Sequence, residues 1–386
     1  MSKLHLIATS AFGIEAVVGR ELKHLGYDDQ YIENSKVTFS GDVEAIARTN
    51  LWLRTADRIL LKMGEFNALT FDDLFEKTKA LPWHEWIPKN AHFPVEGKSI
   101  NSKLFSVPDC QAIVKKAVVE KLKEKYKVSW FDETGPTYKI EVALLKDMAT
   151  LTIDTSGAGL HKRGYRKLVA HAPLKETLAS AMLLISRWKH DRVLIDPFCG
   201  SGTIPIEAAL IAKNIAPGLK RDFISEKWGN ISPSIWNKAR EEAHDLIIND
   251  RELRISGSDI DDEVMSLARY HAKQAGVEND IHLQRLAVAD IKSRYKYGFI
   301  ICNPPYGERI GESKEVEKLY RQMGQVFKQF DTWSYYILTS HPEFEKLFGS
   351  RANKKRKLYN GKIQCNYYQF YGPPPPKEHR DQPVES

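Results

Sequence analysis

From about residue 160 the chain alternates short apolar runs with stretches of helical period. The runs are RVLIDP, LRISGSD, IHLQRLAVAD, GFIICNPP and SYYILTS. Strands that read as near-continuous apolar runs are buried on both faces, and helices between them are the crossovers that parallel strands need. This half is therefore predicted to be a doubly wound, mostly parallel sheet. Near its end, RKLYNGKIQCNYYQFYG places Asn360-Gly361 between two strand-like runs, a strong hairpin signal. The sheet should thus finish with an antiparallel pair. Open α/β sheets bind ligands at the carboxyl ends of their strands, so the turns that close these runs are where chemistry is expected.

The preceding half has another style. Over about 1–65, LHLIATS and KVTFSG read as strands. GIEAVVGRELKHLG, closed by Gly26, and VEAIARTNLWLRTA read as helices. Over about 66–158, FPVEGKSINSKLFS is strand-like at each end with Gly97 and Lys98 between. A helix follows near Pro108-Asp109, with Cys110, Ile113, Val114, Ala117 and Val118 on one stripe. TYKIEVALL alternates Tyr138, Ile140, Val142 and Leu144, and ATLTIDTS after Lys146-Asp147 completes an antiparallel hairpin. Both stretches suit small α+β units. The tail PPPPKEHRDQPVES is polar and proline-rich, so flexibility is expected there.

Bulk properties narrow the class. The formal charge of +7 over 386 residues is modestly basic, which favours an anionic partner only weakly. No apolar run approaches the roughly 20 residues of a membrane helix, and MSKLHLIATSAFG lacks a signal peptide's apolar region. A cytoplasmic protein with no membrane partner is expected. The four cysteines, Cys110, Cys199, Cys302 and Cys365, are far apart, which suits reduced thiols better than disulfides or a zinc site.

The first parallel run continues as LIDPFCGSGTIPIEAALIA. Gly200 and Gly202 fit G-x-G, but Pro205 stands where a dinucleotide fold needs its third glycine. No Lys-Ser/Thr follows as a P-loop requires. Acids close the successive runs: Asp196 the first, Asp259 the second and Asp290 the third. A carboxylate accepts hydrogen bonds only, so it suits hydroxyl and amine donors. Each acid singly would serve equally well as a helix cap or a solvated turn; the succession is harder to dismiss. Between the first two runs, NIAPGLKRDFISEKWGNISPSIWNKAREEAHDLI reads as an inserted loop plus a helix. The fourth run ends in Asn303-Pro304-Pro305-Tyr306. Prolines cannot donate to a sheet, so the chain must leave it there. The ring pair stiffens the backbone around an amide and an aromatic side chain, as a holder for one planar object would need.

In that order, DPFCGSGT, GSDID, AD and NPPYGER resemble the motif series of class I S-adenosylmethionine-dependent methyltransferases that modify exocyclic amines. TSGAGLHKRGYR and APLKETLASAML resemble the domain junction of bacterial ribosomal-RNA guanine-N2 methyltransferases, and the N-terminal half looks like a ferredoxin-like unit joined to a THUMP domain. The resemblance implies domains at 1–65 (ferredoxin-like), 66–158 (THUMP-like, RNA-binding) and 159–372 (Rossmann-like methyltransferase), with a flexible tail at 373–386. It also implies cofactor-binding roles. Phe198, Cys199, Gly200, Ser201, Gly202 and Thr203 would wrap the methionine part, with Asp196 and Pro197 beside its amino group. Asp259 and Ile260 would hold the ribose side and Asp290 the adenine. Pro173 to Thr177 would close the pocket.

The planar object is then a nucleobase. An exocyclic amine is a weak nucleophile because its lone pair is delocalised into the ring. The Asn303 side-chain oxygen and the Pro304 carbonyl would each accept an N–H, with Pro305 stiffening the turn and Tyr306 stacking on the base. No metal is called for. Guanine N2 in ribosomal RNA is the first reading; adenine N6 in RNA or DNA shares the same logic. A noncatalytic RNA-binding or ribosome-assembly protein is the contrasting class. Candidate RNA contacts are Lys98, Lys103, Arg163, Arg166, Arg309, Lys354, Lys355 and Arg356; a solvated face explains such cations equally well.

Overall fold

The structure, a computed structural model, describes residues 3–168, 174–307 and 313–376. It divides into two compact units. The first comprises the chain up to Ser10, Val18–Leu160 and Arg221–Asp245; the second comprises Ala11–Val17, His161–Lys220 and the chain from Leu246 on.

The elements up to residue 160 are β1 (Leu4–Thr9), α1 (Glu15–His24), β2 (Gln30–Glu33), β3 (Lys36–Gly41), α2 (Val43–Trp52), β4 (Arg58–Asn67), α3 (Phe71–Lys79), β5 (Val95–Ile100), α4 (Val107–Tyr126), β6 (Ile140–Leu145) and β7 (Met148–Asp154). Their strands form one seven-stranded sheet in the order β2-β3-β1-β4-β7-β6-β5. The long strand β4 pairs with β1 along one edge and with β7 along the other, with a register shift between Lys62 and Gly64. The ferredoxin-like and THUMP-like strands therefore share a strand, and a boundary at 65/66 falls inside it. Strand β5 runs through Gly97 and Lys98 rather than breaking there. Gly97 pairs in parallel with Val142, and a Cβ at 97 would lie 3.1–3.2 Å from Gln111 and Val107 of α4. Close helix packing, not a turn, explains this glycine. The alternation read from sequence holds in β6: Tyr138, Ile140, Val142 and Leu144 are all buried.

The second sheet follows from α5 (Glu176–Ser186), β8 (Leu194–Asp196), α6 (Thr203–Ala212), α7 (Pro233–Asp245), β9 (Ile255–Asp259), α8 (Asp262–Ala275), β10 (Ile281–Arg285), β11 (Phe299–Cys302), α9 (Ser313–Phe327), β12 (Ser334–Thr339), α10 (Phe344–Phe348), β13 (Lys354–Asn360) and β14 (Ile363–Phe370). The inserted helix α7 belongs to the first unit. Strand order is β10-β9-β8-β11-β12-β14-β13. The first five are parallel, and β14 is antiparallel to both neighbours. The order reverses between β8 and β11, the switch point where such sheets open a ligand crevice. Apolar cores cover both faces. Leu178, Met182, Ile206 and Tyr367 belong to one, and Tyr320, Met323, Phe327 and Phe348 to the other. Burying each such side chain is worth about 1.5–3 kcal/mol. In the final hairpin the two-residue turn is Gly361-Lys362, because Asn360 still pairs with Ile363. That register keeps Asn360 on the strand. No helix among the described residues is long and apolar enough to cross a membrane.

Candidate active site

Everything in the site belongs to the second unit. Asp196 ends β8 with only 1% of its surface exposed, and it takes a hydrogen bond from the Phe198 N–H at 3.1 Å. Burial pushes its carboxyl well above the ordinary range, and the Asp259 charge pushes it further. The turn that follows is tied down by backbone. Cys199 N–H donates to the Ser258 carbonyl (2.9 Å), and Gly202 N–H to the Cys199 carbonyl (2.8 Å). Gly200 and Gly202 take left-handed φ values of 51° and 84°, which L side chains rarely adopt. At the end of β9, each Asp259 oxygen accepts one backbone N–H, from Gly200 (3.1 Å) and Asp261 (3.2 Å). Ile260 beside it is 69% exposed, an apolar side chain presented to solvent. Asp290 closes a single 3-10 turn, Val288–Asp290, and is exposed. Thr177 is buried at the start of α5. Pro173 lies outside the described residues.

S-adenosylmethionine fits this corner. A buried carboxylate raised by desolvation and by a like charge is what a ligand ammonium would relieve. Nothing lies within 4 Å of where a Cβ would stand on Gly200, so the turn leaves room for a ligand against backbone. Asp259 and Asp290 retain acceptor capacity for hydroxyl and amine groups, and Ile260 offers an apolar contact. Burial raises the Cys199 thiol well above its usual value, so it is no nucleophile.

Beneath the corner lies a buried polar network that sequence reasoning missed. Arg163 is 3% exposed and pairs at 3.4 Å with Glu207, itself fully buried in α6. Tyr165 and Ser180 hydroxyls donate to the same carboxylate. Arg166 pairs with Glu176 at 3.2 Å and donates to the Leu174 carbonyl and the Thr203 hydroxyl. One guanidinium thus joins the start of α5 to the start of α6. The RNA-contact expectation for Arg163 and Arg166 is corrected: buried carboxylates hold both guanidiniums inside. The signal was present in TIPIEAALIA, where Glu207 is the lone charge in an apolar helix. His271, fully buried in α8, sets Nδ1 3.1 Å from the Ser201 carbonyl and Nε2 3.2 Å from the Leu168 carbonyl. It braces the glycine turn against the segment before residue 169.

The acceptor corner ends β11, the neighbour of β8. Asn303 is half-buried, Pro304 buried and Pro305 exposed. The Tyr320 hydroxyl, from α9, donates to the Pro305 carbonyl (2.6 Å) and is hydrogen-bonded to the Thr339 hydroxyl (2.8 Å). Tyr306 departs from the expected open stacking face. Its ring packs on the core, its hydroxyl donates to the Asn303 side-chain oxygen, and Asn360 donates to that hydroxyl at 3.4 Å. Burial raises its pKa far above normal, so it remains a donor. The strand position of Asn360 places this contact.

Of the other candidate RNA cations, Lys103 and Lys354 are exposed. Lys98 and Lys355 reach solvent while paired with Glu141 (2.7 Å) and Glu345 (2.6 Å). Arg356 is half-buried, and its Nε–H donates to the Gly13 carbonyl at 2.8 Å. Arg309 lies outside the described residues.

Residues 163–369 match the family described as UPF0020, RMKL-like, methyltransferase domain. Residues 5–60 match the RlmL ferredoxin-like domain and 68–154 the THUMP domain. The chain is 54% identical to the putative RNA methyltransferase YpsC of Bacillus subtilis, over 96% of this chain and 97% of that protein. It is 33% identical to the ribosomal RNA large subunit methyltransferase K/L of Syntrophotalea carbinolica, over 95% of this chain but 53% of that protein, so it spans about half of that relative. The crystal structure of SMU.472, a putative methyltransferase complexed with SAH, superposes with a TM-score of 0.93 at 46% identity, covering 97% of this chain and all of that one. The chain therefore belongs to the RMKL-like methyltransferase family, as an S-adenosylmethionine-dependent RNA methyltransferase with ferredoxin-like and THUMP domains.

Proposed function

We propose that this chain methylates the N2 amine of a guanine in ribosomal RNA. The observation that carries the reading is the adjacency of two corners at the switch point: the glycine turn after β8 and Asn303-Pro304 after β11. Asp196, Asp259, Asp290, Ile260 and the turn from Phe198 to Thr203 hold the cofactor, which when bound supplies a sulfonium methyl open to attack. Thr177, buried at the start of α5, closes the other side.

The target base leaves its stack to enter. Its amine replaces the Tyr306 hydroxyl on Asn303 and gives its second N–H to the Pro304 carbonyl. Two acceptors on one nitrogen favour its pyramidal form and expose the lone pair. The nitrogen would form its bond to the methyl carbon as the carbon–sulfur bond breaks, leaving the sulfur a neutral thioether, and the cationic nitrogen would release its proton to water. Tyr306, released from Asn303, lies against the base face. Positioning supplies most of the acceleration, because the methyl is already activated. Guanine N2 and adenine N6 both offer two N–H donors; likeness to a protein named ribosomal RNA large subunit methyltransferase K/L supports ribosomal RNA as the substrate, and the motif resemblance to guanine-N2 enzymes favours N2. The same reading places the reaction in the cytoplasm, with Lys103, Lys354, Lys98 and Lys355 as RNA contacts.

The test is chemical. Ribosomal RNA from cells deleted for the gene is incubated with the protein and S-adenosylmethionine, then digested to nucleosides for mass spectrometry. N2-methylguanosine is expected; N6-methyladenosine would overturn the assignment.

A further inference from the structure

Between β10 and β11 the described chain makes only the 3-10 turn and then a loop from Ile291 to Gly298. No α-helix covers the sheet there. At the amino ends of β8, β9 and β10, opposite to the catalytic corners, this leaves an open groove of about 490 Å3, with Val193 and Ile195 among its lining residues. Arg254, Lys292, Arg294 and His282 also line it. Asp280, the one acid among the lining residues, is neutralised by Lys213 at 2.7 Å. Arg254 has a loose, solvent-exposed pairing with Glu252 at 3.8 Å.

The cations are mounted rather than loose. The Tyr295 ring lies 5.0 Å from the Arg254 guanidinium and 5.3 Å from that of Arg294. The loop itself is pinned: the buried Trp333 indole donates to the Tyr295 carbonyl at 3.0 Å, and Tyr295 N–H donates to the Ser293 hydroxyl at 3.2 Å. Guanidiniums held on an aromatic face lose less freedom when they bind a phosphate. The groove is open and polar at its lip, as suits a chain passing across it.

We infer that this groove grips the phosphodiester backbone of the substrate RNA, away from the target base. The inference rests on the RNA reading above. Strand β9 spans about 16 Å at a rise of roughly 3.3 Å per residue, and β10 is the edge strand. An RNA gripped at the amino ends of the strands could pass the β10 edge and cross the carboxyl ends of β10, β9 and β8 to reach Asn303 after β11. Contacts of this kind fix register and carry no base choice.

The test compares wild type with the triple variant Arg254→Gln/Lys292→Gln/Arg294→Gln. The probe is a ribosomal RNA hairpin that wild type methylates, with Kd read by fluorescence anisotropy across a KCl series. Kd should rise at least tenfold at 100 mM salt. The slope of log Kd against log salt should fall by about 2–3, at roughly 0.9 per lost phosphate contact. Melting temperature, SAH affinity and kcat at saturating RNA should stay at wild-type values, which separates this effect from misfolding. Wild-type Kd and slope in a folded variant would overturn the groove. Failure of the wild-type protein to methylate any RNA would instead overturn the function; the salt slope, read then on a ribosomal RNA hairpin that wild type binds, would still test the groove.

Discussion

The cofactor corner and the acceptor corner stand at the ends of neighbouring strands, yet they satisfy their polar groups in opposite ways. At the first, Asp196 is buried beside Asp259, with a single backbone N–H to stabilise its charge. The turn around it is braced by Arg166, Glu176 and His271. That corner is preformed and holds a carboxyl whose ionised form burial and Asp259 disfavour, which a cationic ligand group would relieve. At the second corner the protein supplies its own partner: the Tyr306 hydroxyl already occupies Asn303. On the proposed function, the first corner receives a ligand and the second exchanges one donor for another. A single fold thereby stores destabilisation where binding energy is abundant and avoids an unpaired amide where the base arrives last.

The largest effect expected is at the acceptor corner. Asn303→Ala should lower kcat on the order of 10²–10³-fold, as loss of a transition-state hydrogen-bond partner does, while SAH affinity measured by calorimetry stays unchanged. A cofactor defect in that variant would erase the distinction between the corners.

Next comes Asp196→Asn, which should weaken SAH binding on the order of 10–100-fold, given about 1.5–3 kcal/mol for a hydrogen bond to a charged group. The same variant should melt at a higher temperature than wild type without ligand. The sign follows from linkage. A carboxyl raised in the fold contributes stability below its unfolded value and loses it as pH rises through the folded value, so above that range the buried carboxyl is a burden that Asn does not carry. A lower melting temperature for the ligand-free variant would remove the stored destabilisation from the account.

Tyr320→Phe tests what stiffens the acceptor corner. It deletes the bond to the Pro305 carbonyl and should reduce kcat roughly tenfold, with KM for RNA and SAH affinity near wild type. Unchanged kcat would mean the prolines hold the turn alone.

The smallest effect concerns His271. Burial, then the Arg166 charge, lowers its pKa, against opposing bonds to the Ser201 and Leu168 carbonyls. A neutral imidazole has one N–H, so at neutral pH only one of those two contacts is a hydrogen bond. A histidine lowered in the fold contributes stability above about 6.5 and loses it as pH falls through the folded value. His271→Gln should therefore lose less stability than wild type between pH 7.5 and 5, by ~1–3 °C in melting temperature. An equal loss in both proteins would contradict this.

The sequence disclosed what is local. Asp196, Gly200, Gly202, Asp259 and Asn303 sit in short runs at strand ends, where the structure places them, and the strand pattern showed the order of the second sheet's elements along the chain. What it hid depends on partners distant in the chain. Arg163 and Arg166 look like surface cations until Glu207 and Glu176 fold against them. Arg356 looks like part of a basic run until the Gly13 carbonyl meets it. Strand β4 reads as one domain's edge because nothing local shows that β1 and β7 pair with its two sides. Asn360 reads as a turn residue because Asn-Gly favours turns, whereas pairing with Ile363 moves the turn one residue on.

The exchange at Asn303 can be seen directly. A crystal structure with SAH and an RNA oligonucleotide bearing the target guanine is predicted to show N2 within about 2.7–3.2 Å of both the Asn303 side-chain oxygen and the Pro304 carbonyl, with the Tyr306 hydroxyl displaced and its ring on the base. A base seated elsewhere, with Tyr306 still bonded to Asn303, would contradict the account.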